Sequence, residues 1–578
     1  MKRDTMHRKA LVLGSDTRSA LSVIRSLGRG GVQIHVAWHE KDSPALRSRY
    51  VFRAHDLPPY DADDDAWQTA LVALMRREGF DLVIPCQDST LIPLQQHRRD
   101  LEPCGRLYLL DDRAFDVLFD KFKTNELARA VGVRVPREIL VTRPEEADRV
   151  YAAFAPPVAL KPRASFEAQR LHVKQMVRKA YTREDFDAYL NDMLASGPVA
   201  VQENIRGEGV GVELLLHAGE PLMMFQHVRV HEPLHGGGSS YRKSVAVSPP
   251  LVDAAVKLLR PLAYTGVAMV EFKVDAQTGE WALIEVNARF WGSLPLAIAA
   301  GADFPLALFQ LLVEGRTAFP RRYRVGLYGR NLRADLGWQW ANLRADRSDQ
   351  TLATRPLRQV LVETFVNILT LRERSDTFTR DDPRPGFIEV KQLAAEVGTR
   401  LSGKLTQRYL RSPVMRRRLE RRARDAMGRA RTVLFVCKGN VCRSPFAAHV
   451  ARRCFPPTTT FLSAGSIPRG GRSAPATAVA LAARWAVDLS AHRSVVVTED
   501  LVRRADVIVV FDYHNYREIA AAYGFARDRI HFVGALYRDG PLFIKDPWEK
   551  DAASFEKTYR QIATALGAGC YRADGVSA

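Results

Sequence analysis

Between Phe435 and Val450 the chain reads FVCKGNVCRSPFAAHV. Cys437 and Arg443 bracket five residues, and Ser444-Pro445 follows at once. TVLFV before the loop suits a buried strand, and FAAHVARR after Pro445 suits a helix. A loop that leaves a strand and enters a helix turns successive backbone N–H groups inward, which makes a nest for an anion. Gly439 is expected to supply the unusual backbone angles of such a loop. The helix aims the positive end of its dipole at the same point. Arg443 adds a planar fork that matches two phosphate oxygens. In that field Cys437 is expected to act as a nucleophilic thiolate.

A second stretch, GVAMVEFKVDAQTGEWALIEVNARFWGS, spans residues 266–293. Two apolar-rich runs flank DAQTG, which reads as a β-hairpin. Glu285, Asn287 and Arg289 fall two apart, hence on one face. A register centred on Thr278 brings Glu271 near Glu285. Like charges opposite one another are unfavourable. A hard cation between them reverses the sign, and oxygens from Glu271, Glu285 and Asn287 suit Mg²⁺.

The elements that must carry these groups are legible around them. KALVLG, VQIHVAW, FDLVIPC and RLYLL read as strands, with SALSVIRSLGRGG as a helix between the first two. That alternation implies a parallel α/β unit. Its loop GSDTRSA lacks the full GxGxxG pattern, so no dinucleotide site is assigned to it. A second unit starts near Asp120-Lys121, with strands in VALKPRA, AVQENI and GVGVELLL. Residues 319–430 read as helical with Pro-rich breaks such as DDPRPGF, and a last unit begins at Thr432. The expected domains are 1–115, 116–318, 319–430 and 431–578.

The tail, about residues 432–575, resembles the low-molecular-weight protein tyrosine phosphatases through VCKGNVCRSP. The resemblance implies an α/β domain with a parallel sheet that acts on a phosphotyrosine protein and needs no cofactor. Cys437 would attack phosphorus, Arg443 would hold the phosphoryl group, and Ser444 would stabilise the thiolate. Gly439 belongs to the loop, and Asn440 would prop it, held by Ser463 in LSAGS and His492 in DLSAHRS. Asp546 in FIKDPWEK would be the general acid and then activate water. Cys442 would form a reversible disulfide with Cys437. Asp512 would support the site. Trp548 is a candidate wall for the tyrosine ring, since SAGSIPRGGRSAP carries no aromatic. The loop is also similar to that of thioredoxin-coupled arsenate reductases, but Cys454 and Cys570 do not fit the resolving cysteines this chemistry requires.

The front, about residues 10–318, resembles the ATP-grasp ligases, as in the carbamoyl-phosphate synthase large subunit. The implied fold is a pre-ATP-grasp Rossmann-like domain followed by an α+β ATP-grasp domain, with ATP and Mg²⁺ as cofactors. Lys121 and Lys161 match the nucleotide-phosphate lysines, and Gln202, Glu203 and Ile205 fall at the adenine. Glu271, Glu285 and Asn287 would hold Mg²⁺. Arg289 would reach an acyl phosphate, and Arg229 would lie on the substrate side. The implied reaction activates a carboxylate as an acyl phosphate, which an amine or other nucleophile then attacks. PRASFEAQRLHVKQMV stands where the family often has a glycine-rich flap and contains no glycine. The chain thus reads as a ligase–phosphatase fusion. The alternative makes the front a nucleotide- or metabolite-binding module that regulates the phosphatase without turnover.

Composition sets the remaining bounds. At 578 residues the chain exceeds one core, and about three or four units are expected. It is 46% hydrophobic and 26% charged, ordinary for a globular protein. No apolar run approaches the roughly 18–20 residues that span a bilayer. The basic start reads as a first strand rather than a signal peptide. Six cysteines are too few for a disulfide framework and fit a cytoplasmic protein. Of the net charge of +20, half sits in residues 400–431, which hold twelve Lys/Arg against Glu420 and Asp425. A surplus confined to one segment argues against nucleic acid as a partner. Leu401, Leu405, Tyr409/Leu410, Val414/Met415 and Leu419 give that segment a helical period, interrupted at Pro413. It reads as a solvated interdomain helix, as a contact for an anionic membrane at the inner face, or as a guide for acidic substrates.

Overall fold

A computed structural model describes residues 8–154, 156–166, 171, 175–234, 236–349, 352–548 and 550–567. Two compact units divide the chain at residues 394 and 395.

The first unit opens with a four-stranded parallel sheet in the order Val51–Ala54, Gln33–Ala37, Lys9–Leu13, Leu82–Pro85. Its central strands are buried beyond their first residues, Lys9 and Gln33, as expected where both faces are covered. The strand Val51–Ala54 had no clear sequence signal. RLYLL is not a strand and touches the sheet only through a bridge from Leu107 to Val83. Beyond that point Gln95 takes over its backbone: Leu110 N–H donates to Gln95 Oε1, and Gln95 Nε2 donates back to Leu110 O.

Two antiparallel sheets follow. The smaller has the order Glu138–Val141, Val199–Glu203, Val158–Pro162, Arg178–Ala180. The larger runs Trp281–Asn287, Gly266–Val274, Glu208–His217, Glu220–His231, Tyr241–Val245, Tyr328–Arg330, Glu373–Ser375, and only its last pair is parallel. The hairpin forms in the expected register, with Glu271 opposite Glu285. The last two strands come from beyond residue 318, so that region supplies sheet edges as well as helices. Buried polar pairs tie it in: Arg242 meets Asp376, His231 Nδ1 lies 2.7 Å from Asp335, and Arg25 lies 2.9 Å from Asp382.

The second unit contains a parallel sheet in the order Thr460–Gly465, Thr432–Cys437, Val507–Val510, Ile530–Phe532. The strand Thr432–Cys437 has sequence-later strands on both sides, so its C-terminal end lies at the switch point where α/β sheets hold ligands. Ahead of it come the helices Arg384–Leu410, in which the unit boundary falls, and Pro413–Arg429. The break at Pro413 is as expected, but the second helix is not a solvated connector. Ala423 and Met427 are buried in the cores of this unit, and Leu410 and Leu419 pack against one of them. The Arg416 guanidinium is also buried and donates to the carbonyls of Gly534, Tyr537 and Gly540 at 2.5, 2.5 and 3.1 Å. Leu401, Leu405, Tyr409 and Val414 remain exposed.

Among the described residues no single helix is long and apolar enough to cross a membrane. The bent pair Leu294–Ala300 and Phe304–Glu314 passes on composition, but its apolar side chains belong to the core of the first unit.

Candidate functional site

The buried strand Thr432–Cys437 delivers Cys437 to the start of the phosphate loop. Its Sγ accepts from Asn440 N–H at 3.2 Å and lies 3.0 Å from Ser444 Oγ. The left-handed residue of the loop is Asn440, with φ of +52°, and not Gly439 as expected. Asparagine tolerates that conformation better than most residues. Its side chain donates to Ser463 Oγ at 3.0 Å and Ser444 Oγ at 2.9 Å, and accepts from Val495 N–H at 2.7 Å. His492 Nε2 donates to its carbonyl at 2.7 Å. Gly439 contributes its carbonyl, which accepts from Arg472 Nη2 at 2.6 Å. Sequence reasoning missed Gly465, where a Cβ would stand 2.8 Å from Asn440 N.

Arg443 begins the helix Arg443–Cys454 and is buried. Nη1 donates to Asp512 at 2.6 Å and Nη2 to Asp546 at 2.5 Å, while Nε has no partner among the described residues. Burial alone would lower its pKa, but Cys437, Asp546 and Asp512 outweigh it and hold it above the ordinary value. Asp512 is fixed as the N-cap of the helix Tyr513–Ala522, accepting from Asn515 N–H at 2.9 Å. Cys442 is a free, buried thiol, as Cys437 is. Burial and then the neighbouring Cys437 push the Cys442 pKa up, which favours its neutral form. Cys454 is a free thiol whose pKa burial raises; Cys570 lies outside the described residues. Cys437, Asp546 and half-exposed Trp548 line one cavity of 710 Å³, with Tyr513 and Phe543 as further aromatics that the sequence reading missed.

In the first unit, Lys121 opens the helix Lys121–Ala130 behind its N-cap Asp120. Lys161 lies on the strand Val158–Pro162 and donates to Ile284 O at 3.2 Å. Burial brings its pKa down to about 8, against the pull of Glu285. Lys121 Nζ is 3.6 Å from Glu285. Burial would raise the Glu285 pKa, but Lys121, Lys161 and Arg289 hold it below the usual range. Gln202 donates to Glu138 at 2.6 Å. Lys121, Lys161, Gln202, Glu285, Asn287 and Arg289 all line one cavity of 210 Å³.

Other expected residues do not line that cavity. Glu203 is taken by Arg137, accepting at 2.9 Å from its N–H and 3.0 Å from its Nε, and Ile205 lies off the lining. Glu271 accepts from Arg229 and, at 3.2 Å, from Asn287 Nδ2. The repulsion between Glu271 and Glu285 is therefore answered by Arg229 on one and Lys121 on the other. Arg289 is held by Asp88, a partner the sequence reading missed, through bonds of 2.6 and 2.8 Å. The oxygens of Glu285 and Asn287 at the cavity still fit a hard cation. Within the glycine-free stretch, residues 167–170 and 172–174 lie outside the described residues.

A family model for low molecular weight phosphotyrosine protein phosphatases matches residues 432–569. One described as ATP-grasp in the biosynthetic pathway with Ter operon matches residues 196–328. Over 138 residues the chain is 33% identical to the "Probable low molecular weight protein-tyrosine-phosphatase EpsP" of Ralstonia nicotianae, covering 24% of this chain and 92% of the relative. Over 301 residues it is 24% identical to the D-aspartate ligase of Enterococcus faecium, covering 48% of this chain and 70% of the relative. Among solved structures, the biotin carboxylase domain of Hydrogenobacter thermophilus 2-oxoglutarate carboxylase aligns with a TM-score of 0.45 and 16% identity, over 55% of this chain and 73% of that one.

Proposed function

Residues 432–569 belong to the low molecular weight phosphotyrosine protein phosphatase family, the front carries an ATP-grasp ligase-like domain, and we propose that both parts are catalytic. The observation that carries the phosphatase reading is Cys437 Sγ at the cavity, facing Asn440 N–H at 3.2 Å and Ser444 Oγ at 3.0 Å. These groups stabilise a thiolate and then leave donors for a bound phosphate. In the first step a bond forms from Cys437 Sγ to phosphorus as the bond to the tyrosine oxygen breaks. Asp546 supplies the proton that the leaving oxygen takes up. Arg443 holds the equatorial oxygens, exchanging its bond to Asp546 for the phosphoryl group. Asp546 then accepts a proton from water as its oxygen attacks phosphorus, which releases phosphate and restores the thiolate.

With the full chain and p-nitrophenyl phosphate, Cys437→Ser is expected to abolish turnover. Asp546→Ala should slow phenyl phosphate, whose leaving group is poor, far more than p-nitrophenyl phosphate. Equal slowing of both would remove Asp546 from the general-acid role.

In the front we infer that Lys121 and Lys161 bind nucleotide phosphates, with Gln202 towards the base and Glu285 and Asn287 holding Mg²⁺. The ion, when bound, neutralises crowded phosphate oxygens. The substrates of this reading are a carboxylate and an amine, and the relative's name, D-aspartate ligase, supports an amino acid as one of the two. A second reading, nucleotide binding that regulates the phosphatase without turnover, is favoured by Arg289 being clamped to Asp88 and Glu271 to Arg229. ADP release with a panel of carboxylates and amino acids decides between them. Binding of MgATP with no ADP from any pair would support the regulatory reading.

A further inference from the structure

We propose that the end of the helix Arg384–Leu410 forms a wall of the phosphatase cavity that selects tyrosine phosphates flanked by acidic residues. The inference rests on the phosphatase reading of Cys437. Gln407 and Arg411 line the same cavity as Cys437, Asp546 and Trp548. Both precede residue 432, where the family match begins, so this wall is an addition of this chain to the matched domain.

The geometry of the wall follows from helical spacing. Gly403, Gln407 and Arg411 are four apart, and Arg411 N–H donates to Gln407 O at 3.1 Å, which carries the turn one residue past Leu410 and keeps the three on one face. A Cβ at Gly403 would lie 3.6 Å from Tyr513 Cε1, which puts that face against the aromatic side of the cavity. The Arg411 guanidinium sits 4.9 Å from the centre of the Phe543 ring. A cation held over an aromatic face is oriented while its N–H edge stays open to an anion.

The charge of the cavity says what kind of neighbour fits. Among its described lining residues are the cations Arg411, Lys438, Arg472, Lys545 and Lys550. The carboxylates are Asp512 and Asp546, and Arg443 already engages both. Arg472 is fixed to the Gly439 carbonyl, so part of this charge is rigid. The phosphoryl group needs only the loop and Arg443. The remaining cations surround a volume of 710 Å³, into which residues beside the tyrosine must fit. Carboxylates there are attracted and basic side chains repelled. The charge surplus noted at residues 400–431 thus contributes one side chain, Arg411, directly to the site.

The test compares kcat/KM of the full chain on phosphotyrosyl peptides of one length, flanked by Asp/Glu or by Ser/Ala. The wild type is expected to prefer the acidic peptide, and rising salt should shrink that preference. In Arg411→Ala the acidic-over-neutral ratio should fall roughly three- to fivefold, the scale of one exposed ion pair. Arg411→Lys should keep part of it. The ratio is insensitive to a general loss of activity or of folded protein. A wild-type ratio of one, or a ratio unmoved by Arg411→Ala, would overturn the proposal. No wild-type turnover of p-nitrophenyl phosphate would instead overturn the phosphatase reading, and this inference with it.

Discussion

Asn440 serves the phosphate loop in two separable ways. Its backbone takes the left-handed turn at φ of +52°, and its amide ties the loop to Ser444, Ser463 and Val495. Asn440→Ala keeps neither advantage. It strands the Val495 N–H and meets the ordinary penalty of a Cβ residue at positive φ. The expected cost is about 2–3 kcal/mol of stability, with turnover of p-nitrophenyl phosphate reduced at least tenfold because Ser444 loses its orienting bond. Asn440→Gly relieves the backbone but not the bonds. If it recovers wild-type turnover, the side-chain network is dispensable and the backbone alone matters. The family resemblance implied that Asn440 props the loop, while the residues themselves suggested Gly439 for its turn, since glycine is the default residue at positive φ. What decides the matter is Gly465, whose missing Cβ makes room for Asn440 from the neighbouring strand. No local spacing pattern reports a contact across 25 residues.

At the scale of elements, what a local pattern can encode was legible, and what distant elements bring together was not. Alternation plus DAQTG gave the hairpin and the pairing of Glu271 with Glu285. The partners that neutralise the site, Arg229 and Asp88, arrive from a different strand and from the helix Asp88–Gln96. RLYLL had strand composition, yet Gln95 diverted its backbone bonds. Lys161 shows how two packed elements set one group's chemistry. Its strand buries the side chain against the hairpin carbonyl of Ile284, and that burial lowers its pKa to about 8. An ordinary lysine holds its proton to about 10.4. Below pH 8 Lys161 is charged and ready for a phosphate; above it, the free protein loses that charge and binding must first restore a proton. MgATP affinity is therefore expected to be level between pH 6.5 and 7.5 and to weaken as pH rises past about 8. Calorimetric titration of the full chain should show this, and Lys161→Met should bind more weakly with a flatter profile. Level wild-type affinity up to pH 9.5 would remove Lys161 from the phosphate site.

For the whole molecule, the question is where the phosphatase part begins as a folding unit. The family match starts at residue 432, whereas the second compact unit starts at 395. Composition pointed to the later boundary, because twelve cations in residues 400–431 mask the few apolar side chains that pack. The fold points to the earlier one. Met427 and Ala423 are buried, Leu419 packs against the core that holds Ala423, and Arg416 serves three carbonyls of the turn at residues 534–540. Removing the helix Pro413–Arg429 exposes the apolar surface it covers, about 1.5–3 kcal/mol for each large side chain. It also leaves the three carbonyls to water or to nothing. The loss is about 5 kcal/mol, a large share of the roughly 5–15 kcal/mol that holds a domain folded. At about 3 °C per kcal/mol for a domain of this size, a fragment of residues 432–578 should melt about 15 °C below one of residues 395–578. Arg416→Ala in the longer fragment should fall between them, since it removes the carbonyl donor while keeping the apolar contacts. Scanning calorimetry of the three proteins tests the ordering. Equal melting temperatures for the two fragments would mean that the helix rests on the domain without stabilising it, and the boundary would return to residue 432.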